Sequence, residues 1–168
     1  MKDVFPMQSA LFFIVGLCDI ISLMRIYLDN CCYNRPYDDQ SNLNVSLETQ
    51  AKLRVQEEIR AGKHELVWSA IEDYENAQNP FEIRRDAIAQ WRNLAVAVQM
   101  ADNGVVQTAG KIMEKGIKNK DALHIASAIA AGCDVFLTVD RKLLRTPIDG
   151  IRMLSPIDFL NYEEESDD

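Results

Sequence analysis

Several things are scarce in this chain, and each scarcity excludes a class of protein. Cysteine occurs only at positions 18, 31, 32 and 133, with no C-x-x-C pair, so a zinc-binding or redox motif is excluded. Cys31 and Cys32 are sequence neighbours, which rarely join in a disulfide, so the four read as reduced thiols that pack as small hydrophobes. Glycine is sparse, with seven in 168 residues, and the segment after the first strand-like run is Asn30-Cys31-Cys32-Tyr33. That is no glycine-rich turn, which removes a dinucleotide-binding enzyme. Positive charge is short as well: 18 Lys and Arg stand against 26 Asp and Glu, a net charge of −8. A basic electrostatic footprint is therefore missing. Glu163, Glu164, Glu165, Asp167 and Asp168 carry five of those charges, which leaves −3 for the rest.

The chain also lacks an uninterrupted membrane-length apolar run. Residues 10–18 are strongly apolar, but Asp19 breaks the stretch before it resumes at Ile20, and a charge at mid-span is expensive. Lys2 is offset by Asp3 and no A-x-A site follows, which argues against a signal peptide. Three readings of residues 1–23 stay open: an anchor, an extra helix, or an upstream start codon. The last is favoured, because residues 24–29 already read as the first strand of a domain. The expected organisation is an apolar extension over 1–23, one domain over 24–160 and a disordered acidic tail over 161–168.

What is present is a globular composition, 48% hydrophobic and 26% charged, of single-domain length. Strand-type runs are expected at 25–29, 65–68, 104–107, 134–138 and 151–154. Residues 30–44 read as a polar loop. Helices are expected from Ser46 to Ala61 with Leu47, Ala51, Val55 and Ile59 inward, from Ser69 to Glu75, and from Asn79 to Ala101 behind an Asn-Pro start. Further helices follow: one capped by Thr108, one over 120–131, a short one over 140–144 and a last one from Ser155. Strands alternating with helices imply an α/β fold with a parallel sheet and helices on both faces. Ligands of such sheets sit at the carboxyl ends of the strands.

Acids gather there. Asp29 ends the first strand, Glu75 follows the second, Asp121 opens the helix before the fourth, and Asp140 lies just past it. Each has a plainer role available: an Asx-turn for Asp29, solvent exposure for Glu75, a favoured helix start for Asp121 and an N-cap for Asp140. Together they suit an all-oxygen site for Mg²⁺ or Mn²⁺, since close carboxylates repel unless a cation stands between them.

The order and spacing of four segments, 26–30 (IYLDN), 69–76 (SAIEDYEN), 120–128 (KDALHIASA) and 136–143 (FLTVDRKL), resemble the PIN-domain family, and within it the VapC-like toxin ribonucleases. The resemblance runs over residues 24–160. It implies a three-layer fold with strand order 3-2-1-4-5, and an acid set of Asp29, Glu75, Asp121 and Asp140, with Glu72 the less favoured glutamate. It also implies Mg²⁺- or Mn²⁺-dependent hydrolysis of RNA, a small antitoxin partner and a homodimer, while the reduced cysteines point to a cytoplasmic location. A long 30–37 loop and the acidic charge depart from typical toxins. A catalytically silent PIN-like binding module is the alternative. A haloacid-dehalogenase-like phosphatase is disfavoured, because it needs an acid where Cys31 stands. Arg35, Lys118, Lys120, Arg141 and Lys142 suit phosphate contacts or solvated surface equally. Asn30 and Asn34 suit turns, His124 a packed helix position, and Tyr33 and Tyr37 base stacking or simple packing.

Overall fold

The structure, a computed structural model, describes residues 23–166. Five parallel strands, β1 (Arg25–Leu28), β2 (Glu65–Ser69), β3 (Ala95–Gln99), β4 (Val135–Leu137) and β5 (Arg152–Leu154), form one sheet in the order β3-β2-β1-β4-β5. This is the expected three-layer α/β arrangement and strand order. The period of two along each strand separates the core into two halves. Ile26, Leu28, Leu66, Trp68, Val135 and Leu137 face one cluster, and Tyr27, Val67 and Phe136 face the other. Because β1 is central and both its neighbours run parallel to it, three strands end side by side at Asp29, Ser69 and Thr138.

Helices cover both faces. The first layer includes α1 (Asn30–Asn34), α2 (Leu43–Arg60), α4 (Glu82–Ala89) and α8 (Pro156–Ser166), which supply Tyr33, Val55, Ile59, Ile88 and Phe159. The second includes α5 (Asn103–Met113) and α6 (Asn119–Ala130), with Val105, Ala109, Ile112, Ala122, Ile125 and Ala126 inward. Two short helices, α3 (Ala70–Ala77) and α7 (Arg141–Leu144), start directly from strand ends.

The structure corrects several expectations. Residues 30–37 are not loop: α1 and a 3₁₀ turn over Arg35–Tyr37 form there, because Cys32 and Tyr33 bury against the sheet and the Cys32 thiol donates to the Leu137 carbonyl. The second helix starts earlier, at Leu43, since Asn42 and not Ser46 accepts from the backbone N–H groups of Asn44 and Val45. Leu47, expected inward, is exposed. The long helix expected over 79–101 breaks into α4, a 3₁₀ turn over Gln90–Leu94 and β3. The spacing of Ile88, Trp91, Ala95 and Val98 fits a helix, but residues 95–98 alternate Ala-Val-Ala-Val and pair with β2 instead, so sheet pairing overrides helical periodicity. Residues 104–107, expected as the third strand, lie in α5, which Asp102 caps; Thr108 is mid-helix.

The tail is corrected too. The last helix runs to Ser166, and Glu163 is buried rather than solvated. Its carboxylate meets His64 Nε2 at 2.7 Å and Lys63 Nζ at 3.0 Å, while Glu58 on α2 faces Lys63 at 3.5 Å and Arg54 at 3.1 Å. These bonds tie α8 to α2 and to the loop before β2. The apolar stretch and the start-codon reading of residues 1–22 lie outside the described residues, as do Asp167 and Asp168. Among the described residues no helix is long and apolar enough to cross a membrane.

Removing Glu163 takes the 2.7 Å partner from the buried His64 imidazole and leaves Lys63 with Glu58 alone. Glu163→Ala is therefore expected to lower unfolding stability by about 2 kcal/mol, read from urea denaturation. A change within ±0.5 kcal/mol, as expected for a residue on a disordered tail, would refute the structural role.

Candidate functional site

The site begins where β1 stops. Asp29 is 5% exposed, and its Oδ2 accepts from Thr138 Oγ1 at 2.7 Å and from the Cys31 thiol at 3.0 Å. Its backbone N–H donates to the Leu137 carbonyl, so the first residue past β1 is still locked to β4. Thr138 Oγ1 also accepts from the Asp140 N–H at 3.1 Å. One hydroxyl thus links the ends of two strands and holds both aspartates on the same edge. Asp140 then caps α7, its Oδ1 accepting from the N–H groups of Lys142 and Leu143.

The other two acids come from helices. Glu75 projects from the last turns of α3, whose start is fixed by Ser69 Oγ accepting from the Glu72 N–H. Asp121 sits in the first turn of α6. His124, one turn further on and fully buried, bonds Glu75 Oε2 through Nε2 at 2.8 Å and Tyr27 through Nδ1 at 2.7 Å. Tyr27 in turn meets Ser69 Oγ at 2.5 Å. A continuous hydrogen-bonded line, Glu75–His124–Tyr27–Ser69, therefore runs under the site from α3 through α6 and β1 to β2.

The electrostatics show three of the acids acting on the fourth, Asp121. Burial raises the Asp121 carboxyl above its ordinary range, and the charges of Asp29, Asp140 and Glu75 raise it further. Glu75 moves the opposite way, held down first by its His124 hydrogen bond and then by Lys120, whose Nζ is 3.5 Å away. Among the described residues no Lys or Arg pairs with Asp29, Asp121 or Asp140. A fifth acid lies beneath them. Glu72 is 1% exposed, neither carboxylate oxygen has a hydrogen-bond partner, and burial followed by Asp29 and Glu75 pushes its carboxyl well above the usual range. Its Oε2 lies 3.6 Å from His124 Nδ1. Sequence reading ranked Glu72 below Glu75, and nothing in its spacing signalled that it would be enclosed.

Other singled-out residues have structural partners. Asn34 donates to Asn30 and accepts from Asn79, bracing α1. Arg35 pairs with Asp38 and Glu48, and Lys142 donates to the Gly116 carbonyl. Cys31 is a protonated thiol, since Cys32, burial and Asp29 all push it well above its ordinary value. Burial pushes Cys133 up to about 12. Among the described residues the tightest group of metal-ligand types is elsewhere: Glu58, His64 and Glu163 lie with ligand atoms within 4.8 Å of one another. It sits by the Met24 N–H at the amino end of β1, and Lys63 already bridges both its carboxylates. The strand-end acids are spaced more widely than that.

Comparison with known proteins follows this geometry. The family model described as the PIN domain matches residues 34–149, well over half the chain. The chain belongs to the PIN-domain family. Two crystal structures share the fold of this PIN domain. VapBC2 from Rickettsia felis, bound to a DNA fragment from its promoter, matches at 13% identity and TM-score 0.50, covering 79% of this chain and 98% of that one. DNA-bound VapBC from Salmonella typhimurium matches at 18% identity and TM-score 0.51, covering 80% and 99%. No curated protein sequence matches significantly.

The raised carboxyl of Asp121 makes a prediction about the metal-free PIN domain. An acid whose folded pKa lies above its unfolded value near ~3.9 disfavours folding once it is ionised, and the penalty vanishes as pH falls below both values. Asp121→Asn should therefore raise Tm at pH 7 in the presence of a chelator. The gain should shrink towards zero below about pH 4. A Tm at pH 7 equal to or below that of the parent would refute the crowding.

Proposed function

We propose that this PIN domain is a ribonuclease that hydrolyses RNA phosphodiester bonds with Mg²⁺ or Mn²⁺ held by Asp29, Glu75, Asp121 and Asp140. The observation that carries the reading is the convergence of these four acids at the ends of three parallel strands, where Asp29, Asp140 and Glu75 bear on Asp121 and where Asp29, Asp121 and Asp140 have no paired Lys or Arg among the described residues. The donor set fits a hard cation: every ligand is a carboxylate oxygen, and the buried oxygens of Glu72 beneath it lack partners. Such an ion supplies charge neutralisation on phosphate oxygens and lowers the pKa of an attacking water.

The chain's own residues do the positioning. Thr138 fixes the Asp29 carboxylate and, through its hydroxyl, the Asp140 backbone. His124 fixes the Glu75 carboxylate, leaving Oε1 to face Lys120. The cations nearest in sequence, Lys118, Lys120 and Arg141, are suited to the flanking phosphates of a bound strand. The enzyme is read as a cytoplasmic toxin with a small antitoxin partner, a reading supported by the VapBC assemblies that share its fold. Phe81, Ile83, Leu94 and Val96 are exposed on α4 and around the β3 edge and offer apolar area to that partner or to a second copy of the chain.

The test is metal-dependent cleavage of mixed RNAs by the full chain, alongside Asp29→Asn and Asp121→Asn. Each variant is expected to lose about 10²-fold or more in rate, and a chelator to abolish activity. Mn²⁺ binding followed by calorimetry separates the outcomes. Cleavage that persists in both variants would remove these acids from the mechanism. The absence of both cleavage and Mn²⁺ binding would reduce the protein to a silent binding module.

A further inference from the structure

A second concave site lies on the other flank of the first helical layer, between α2, the Arg35–Tyr37 turn and α4. It is a cavity of about 330 Å³ lined by Tyr33, Tyr37, Lys52, Gln56, Arg60 and Trp91, together with apolar side chains. The volume falls at the lower end of small-molecule pockets, roughly 300–1,000 Å³.

Its lining is unusual in what it leaves unanswered. Lys52 is 4% exposed, yet it forms no ion pair or hydrogen bond among the described residues. Its ammonium has only the face of the Tyr33 ring, 5.8 Å away. A buried lysine ordinarily keeps a counter-charge, because desolvating an ammonium is costly. The cost registers here as a Lys52 pKa lowered to about 8, chiefly by burial. Gln56 Nε2 is also buried without a partner. A second cation, Arg60, lies with its guanidinium 4.3 Å over the Trp91 ring. Glu57, the acid in the lining, faces outward to Arg54 at 3.8 Å. The cavity thus holds two unanswered donors, a further guanidinium and two aromatic rings, and the acid in its lining is engaged with Arg54.

We propose that this cavity binds a phosphate monoester carried on a flat ring, the phosphate taken by Lys52, Gln56 and Arg60 and the ring by the exposed Tyr37 at the rim. Phosphate matches the donors better than carboxylate, because its three terminal oxygens answer donors spread over two faces of the cavity. Tyr37 at the rim is exposed and stacks with Arg84 4.5 Å over its ring, and such an aromatic supplies the platform that a nucleobase or aryl group uses. A mononucleotide and the 5′-phosphorylated end of an RNA share this chemistry. The site is separate from the strand-end carboxylates and does not depend on their role.

The experiment titrates the full chain with phenyl phosphate, AMP, inorganic phosphate, benzoate and a 5′-phosphorylated hexanucleotide, by calorimetry and by tryptophan fluorescence. Phenyl phosphate and AMP are expected to bind saturably and to perturb the Trp91 signal. The hexanucleotide against AMP tells which source is preferred. Lys52→Met and Gln56→Glu are each expected to weaken phenyl phosphate by about tenfold or more. Both are also expected to raise the Tm of the unliganded protein, the first by removing the unpaired charge and the second by answering it in place. A residue kept only for packing or structure would lower Tm when changed. Benzoate binding as tightly as phenyl phosphate would overturn the phosphate assignment. No saturable binding of phenyl phosphate or AMP at millimolar concentration would overturn the site, as would unchanged binding in both variants.

Discussion

Like-charge crowding at one edge of the sheet is the constraint around which this fold is organised. Asp29, Glu72, Glu75, Asp121 and Asp140 come from four places in the chain, and like-charge repulsion opposes bringing them together. What holds them there is the apolar sheet beneath. Tyr27, Leu28, Val67, Trp68, Phe136 and Leu137 are all nearly inaccessible to solvent, and burying each such side chain contributes about 1.5–3 kcal/mol. The strain at the edge is small against that sum. A parallel sheet is what makes the arrangement geometrically open to the chain, since β1, β2 and β4 all end on the same side.

The hydrogen-bonded line under the acids adds direction to that force. Ser69 serves twice, capping α3 through the Glu72 N–H and meeting the Tyr27 hydroxyl. His124 likewise serves twice, once towards Tyr27 and once towards Glu75. A rotation of α6 about its axis would break both His124 bonds, and a slide of α3 would break the Ser69 cap. Glu75 and Asp121 are therefore positioned by the same polar line, even though one lies near the end of a helix and the other at the start of one. Such buried networks fix geometry when each member finds a partner. Glu72, whose oxygens accept no hydrogen bond, lies beside that line, 3.6 Å from His124 Nδ1.

Much of this was legible in the sequence because it is local. The strand runs at 25–29 and 65–68, the Ser69 and Asp140 caps and the small-residue helix over 120–131 depend on nearby residues, and their resemblance to PIN-domain segments carried the strand order. What was not legible is set by distant partners. Residues 95–98 satisfy both a helical stripe and a strand alternation, and only pairing with β2 decides between them. Residues 30–37 look polar, yet Cys32 and Tyr33 have a sheet to bury against. Glu163 sits in an acidic run that reads as solvated, and only the fold brings His64 and Lys63 to it. The enclosure of Glu72 follows from how α3 leans on α6, which no spacing encodes.

The two ends of the sheet handle charge in opposite ways, and this answers the objection that so acidic a protein makes a poor nucleic-acid binder. At the amino end, Glu58 and Glu163 come with Lys63, Arg54 and His64, so the network neutralises itself and acts as a tie between helices. At the carboxyl end the acids outnumber their partners, Lys120 on Glu75 being the one ammonium paired with them among the described residues. A surplus of carboxylates there is what a cation requires, and a bound divalent ion reverses the local sign that a phosphate backbone would meet. Net charge counts these acids as repelling RNA. With a divalent ion held there, as proposed, the same acids would instead favour a phosphate backbone.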